Sequence, residues 1–68
     1  MEMFKVNSSI ISAIGYDGTN IEVHLRNGKK YHYFPAPENV FKNFLNATSK
    51  GKFWNLQIKP KYQCRLLS

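Results

Sequence analysis

The chain has 68 residues, enough for one domain with a thin core, because a protein this short buries only ~60% of its unfolded surface. Five Phe, four Tyr and one Trp compensate for that thinness, and a single cysteine, Cys64, excludes an internal disulfide or a multi-cysteine zinc site and points to a reducing compartment. The net charge of +6 favours an anionic partner; the opening Met1-Glu2-Met3-Phe4-Lys5 lacks signal-peptide character, and no apolar run nears the ~18 residues of a membrane span, so a cytoplasmic protein without a membrane partner is expected.

The first half reads as strands. Ser8–Tyr16 is rich in β-branched residues, with Ile10, Ile14 and Tyr16 alternating with Ile11 and Ala13. Asp17-Gly18-Thr19-Asn20 forms a turn cluster. Ile21, Val23 and Leu25 then alternate with Glu22, His24 and Arg26, a strand with one wet face. Asn27-Gly28 signals a hairpin, and Tyr31-His32-Tyr33-Phe34 supplies the third strand before Pro35. A two-residue turn at Asn27-Gly28 would set Lys30 and His32 opposite Leu25 and Val23 on the core face. A three-residue loop with Gly28 left-handed pairs Val23 with Tyr31 and Ile21 with Tyr33 instead. Only the second register sorts the apolar side chains onto one face, and a one-residue slip would flip all of them. The bulged register is therefore favoured, with Tyr31 and Tyr33 mainly in the core.

The second half is helical. Pro37 and Glu38 suit a first helical turn, and Val40, Phe41, Phe44, Leu45 and Thr48 form one stripe. Thr48-Ser49-Lys50-Gly51 breaks the run, with Gly51 expected as a left-handed stop. Lys52–Ile58 reads as a shorter second helix with Ser49 or Lys50 near its start, and Pro60 ends it. The tail Lys61–Ser68 is open between strand and coil, with Tyr62, Leu66 and Leu67 able to dock. The expected fold is α+β, a single domain over 1–68. In it a three-stranded antiparallel β-meander, order 1-2-3, packs against a main helix near Pro37–Ala47 and a short second helix.

With these elements placed, the chain resembles the KTSC domain family, small domains found alone in bacteria and phages and at the C-terminus of some lysyl-tRNA synthetases. The resemblance runs from Ser8-Ser9 to Tyr62. It is carried by Ser8-Ser9, Tyr16-Asp17, Ile21-x-Val23-x-Leu25, Gly28, Tyr31-x-Tyr33, Pro37 and Ala47, then by Ser49-Lys50-Gly51-Lys52-Phe53-Trp54-Asn55, Ile58 and Tyr62. Tyr-x-Tyr alone is a weak signal; followed at this distance by Ser-Lys-Gly-x-Phe it is far more specific. Leu25, Ala36 and Trp54 depart from the commoner residues, which touches packing more than chemistry. The resemblance implies RNA binding, from the company these domains keep with the synthetase, and it adds no catalytic residues.

Charge is unevenly spread. Residues 1–34 hold Lys5, Arg26, Lys29 and Lys30 against Glu2, Asp17 and Glu22. Residues 35–68 hold Lys42, Lys50, Lys52, Lys59, Lys61 and Arg65 against Glu38 alone. A small-residue turn opening a helix attracts phosphate or carboxylate, so Ser49, Lys50, Gly51 and Lys52 form the sharpest candidate anion site, with Trp54 as a stacking plane if exposed. The same residues also suit a plain inter-helix turn with solvent lysines and a buried tryptophan. Lys59, Lys61, Tyr62 and Arg65 form a second basic-aromatic cluster. His24 and His32 face the same wet surface, with Glu22 the nearest carboxylate, which reads as a cross-strand polar ladder and not as a metal site.

No serine pairs visibly with a histidine and an acid, so no catalytic residue and no cofactor is assigned. The leading expectation is a non-catalytic binding module for RNA or another nucleic acid. The rivals are a protein-interaction or inhibitor module for an acidic protein, and an oligomeric nucleotide-binding protein. A homodimer is compatible with each.

Overall fold

The computed structural model describes residues 1–68. Its strands are β1 (Met3–Lys5), β2 (Ile11–Tyr16), β3 (Ile21–Leu25), β4 (Lys30–Phe34) and β5 (Gln63–Leu66). Between β4 and β5 lie α1 (Glu38–Asn46) and α2 (Lys50–Phe53), the latter continuing without a break as a π-helical turn over Trp54–Ile58. The strands form one antiparallel sheet in the order β1-β2-β3-β4-β5. The expected meander is thus its centre, β2-β3-β4, and the α+β class stands, but the sheet has five strands and not three. The two additional strands are the edges. β1 is three residues long, and β5, although Gln63-Cys64-Arg65-Leu66 alternates, is only four residues long and exposed throughout, so neither stands out as a half-buried strand. No helix is long and apolar enough to cross a membrane.

The bulged hairpin register is the one observed. Ile21 faces Tyr33, Val23 faces Tyr31 and Glu22 faces His32, while the Leu25 amide donates to the Lys29 carbonyl at 2.8 Å. Gly28 takes φ +93°, where a side chain would be strained. The upstream turn is built by Asp17, whose carboxylate accepts from the Thr19 and Asn20 amides and the Asn20 side chain at 2.7–3.0 Å. These bonds hold its carboxyl down at about 2.

Both helices cover one face of the sheet. Ile11, Ile14, Ile21, Val23 and Tyr33 meet Phe41, Phe44, Trp54 and Ile58 there in one core cluster. Tyr16 stacks on Phe41 and Phe44 on Phe53, each with ring centroids 5.3 Å apart. On α1, Phe41 and Phe44 are buried and Val40 and Leu45 half-buried; Thr48 lies beyond the helix and is exposed. Gly51 does not end a helix: it is buried inside α2, and only Gly18 and Gly28 have positive φ. The chain breaks earlier, at extended Ala47, and Ser49 restarts it by accepting from the Lys52 amide at 3.2 Å.

On the helix-free face, Gly15 is buried beneath β1. A Cβ there would lie 2.7 Å from the Glu2 carbonyl oxygen and against the Met3 sulfur. Gly15→Val is therefore expected to force β1 off the sheet and destabilise the fold by about 1–3 kcal/mol. Urea unfolding should show a lower midpoint.

Candidate nucleic-acid interface

The most concave surface runs along the outer side of α2. Its first part is a groove of about 600 Å³ between the β1–β2 loop, residues 7–10, and the stretch 48–52, with Asn55 and Leu56 on its wall. A second hollow of about 410 Å³ shares Thr48, Ser49, Lys52 and Leu56 with it and extends to Phe53 and Gln57. Together they make one shallow track in which none of the lining residues is acidic.

Local sequence explains the track's walls. Ser8 turns the β1–β2 loop by accepting from the Ile10 and Ile11 amides at 3.2 and 3.3 Å. Arg26 holds the same loop, its Nε donating to the Ser8 carbonyl and its amide to the Ile10 carbonyl. Across the groove, Ser49 caps α2 and Lys50 Nζ donates to the Ala47 carbonyl, which fixes the approach of α1 to α2. Gly51 is the close-packing point: a Cβ there would sit 3.4 Å from Ile10 Cδ1. Leu56 stands 59% exposed where the two hollows meet. At the far end Lys61 donates to Gln57 Oε1 at 2.8 Å.

The sequence-derived candidates separate into three places. Ser49, Lys50, Gly51 and Lys52 line the track, and Lys61 reaches its end through Gln57. Trp54 and Tyr62 lie against the core, and exposed Lys59 lies over the Trp54 ring. Trp54 is only 7% exposed, its Nε1 donates to the Tyr33 hydroxyl at 3.0 Å, and Lys59 Nζ sits 4.6 Å above its ring. The indole therefore offers no stacking plane, because its apolar body completes the core and its one donor is spent. Burial also pushes the Tyr33 phenol well up, so its hydroxyl stays neutral and available as the acceptor. Tyr62 is half-buried against the same core. Arg65 lies on the helix-free face, opposite His32 and 5.9 Å from the Phe34 ring centroid. The nine candidates thus do not share one patch. Sequence reasoning missed the opposite wall, Asn7, Ser9 and Ile10, and the turn made by Ser8; Ser8-Ser9 stood out only through the family resemblance.

A small α+β domain with a five-stranded sheet, helices on one face and a carboxylate-free track beside the second helix is the class this geometry defines. The KTSC domain model matches residues 7–62, and the chain belongs to the KTSC domain family. A crystal structure of a KTSC domain protein from Yersinia pestis superposes with a TM-score of 0.91 at 38% identity, covering 98% of this chain and 97% of that one. A protein of Tsukamurella paurometabola is 40% identical over 63 residues, which is 90% of this chain and 94% of that protein. A lysine–tRNA ligase of Nostoc punctiforme is 31% identical over 68 residues, which is 97% of this chain but only 12% of the ligase.

Proposed function

We propose that this protein is a non-catalytic binding module for single-stranded nucleic acid, RNA before DNA, and that the strand lies in the track beside α2. The observation that carries the reading is the absence of any carboxylate among the track's lining residues, where Lys50 and Lys52 stand beside the Ser49 cap. Lys61 extends the positive charge along the route a phosphate backbone would follow. Exposed Leu56 and Ile10 give bases an apolar contact in place of Trp54. The lysine–tRNA ligase relative supports an RNA partner over DNA, since that protein's name places a tRNA among its substrates.

The test is fluorescence anisotropy of a labelled single-stranded RNA over a salt series. Each phosphate contact contributes ~0.7 to the slope of log K against log salt for single strands. Lys50→Gln combined with Lys52→Gln is expected to weaken binding at low salt and flatten that slope by about 1.4. No binding by the unmodified protein at tens of micromolar in low salt would end the proposal.

A further inference from the structure

The helices leave one sheet face uncovered, and its register sorts residues into rows that cross the strands. One row runs Met3, Gly15, Glu22, His32, Arg65; the next runs Lys5, Ala13, His24, Lys30. Glu22 lies at the middle of this face and bonds both imidazoles, to His24 Nε2 at 2.5 Å and to His32 Nε2 at 2.7 Å. Its charge is therefore engaged within the sheet. Lys5, Lys30 and Arg65 on the same face have no carboxylate within ion-pair distance. Arg65 is held near half-buried Phe34, so a planar guanidinium and an aromatic ring lie side by side at the β4–β5 edge.

We infer that this helix-free face is a second contact surface for the same single strand, with Lys30 and Arg65 on phosphates. This inference rests on the reading above that the partner is nucleic acid. Charge complementarity selects an anion, and the guanidinium–aromatic pair selects one with planar bases, for which an acidic peptide has no counterpart.

The charged groups around Glu22 on this face are Lys30 and Arg65 on β4 and β5 and Lys5 on β1, beside uncharged Ala13 and Gly15 on β2. Burial alone would raise the Glu22 carboxyl, but its bonds to His24 and His32 outweigh that and hold it below its ordinary range. Glu22 therefore stays ionised and bonded within the sheet, while the cations beside it keep their charge for a partner.

The experiment repeats the anisotropy salt series with Lys30→Gln, Arg65→Gln and the two combined. Each single substitution should flatten the slope by ~0.7, and the pair by about 1.4. Poly-glutamate of matched charge should displace the RNA poorly. A protein that binds RNA, loses binding with the Lys50 and Lys52 substitutions, yet ignores Lys30→Gln and Arg65→Gln overturns this inference alone. Equal displacement by poly-glutamate also overturns it, and failure to bind RNA overturns both readings.

Discussion

Trp54→Ala is expected to cost the domain about 3–5 kcal/mol of stability, the range for truncating a buried large aromatic. A domain of this length has total stability of only roughly 3–10 kcal/mol, so much of the population should unfold at room temperature. The reason is position. Trp54 is the first residue of the π-helical turn and lies in the core cluster with Ile58, while its Nε1 donates to the hydroxyl of Tyr33 on β4. Removing the indole leaves both a cavity and a buried hydroxyl without its donor. Trp54→Phe separates the two effects: most of the volume remains and the hydrogen bond is lost, for about 1–3 kcal/mol. Far-UV circular dichroism during urea unfolding reads both. A Trp54→Ala protein with an unchanged midpoint but weakened RNA binding would instead make Trp54 a ligand contact.

Phe44→Ala should be of similar size, about 3–5 kcal/mol. Phe44 is 0% exposed, and it stacks on Phe53 at 5.3 Å, so one ring joins α1 to α2 and both to the sheet. Small domains relax poorly around such a cavity, because few other side chains are available to fill it. Phe44→Leu keeps much of the apolar volume and should cost visibly less. Thermal unfolding of the two variants provides the check. Equal losses from Ala and Leu would place the effect in the aromatic stack and not in the cavity. The α1–α2 junction also shapes the track, so RNA affinity of the Leu variant reports whether the groove tolerates small shifts of α2.

Much of this architecture was legible before any coordinates. The alternation of Ile21, Val23 and Leu25 with Glu22, His24 and Arg26 defines β3 and its faces, and Asn27-Gly28 with Tyr31 and Tyr33 admits one register that buries the apolar set. The stripe through Phe41 and Phe44 marks α1, and Pro37 and Pro60 bracket the helical half. Of the edge strands, β1 was not legible, and β5 lies in the tail that the sequence leaves open between strand and coil. Both take their conformation from hydrogen bonds to their neighbours, and stretches of three and four residues are too short to declare a period. Gly51 was misread for a related reason: its neighbours Ser49 and Lys50 look the same whether they end one helix or begin the next, and the Ser49 cap decides.

The candidate site divides in the same way. Local sequence is enough to place cations at Lys50 and Lys52 beside a helix start, because that depends only on the Ser-Lys-Gly-Lys run and its cap. Which face each remaining cation occupies depends on contacts between residues far apart in the chain. The pairing of β5 with β4 sends Arg65 to the helix-free face, and Tyr33, 21 positions away, draws Trp54 into the core.

The order of residues was sufficient for the α+β class, the central meander and an excess of positive charge in the second half, since periodicity and composition are properties of short stretches. Only the folded molecule determined that this charge splits between a track along α2 and the opposite sheet face, because sidedness is set by long-range pairing that no local pattern encodes.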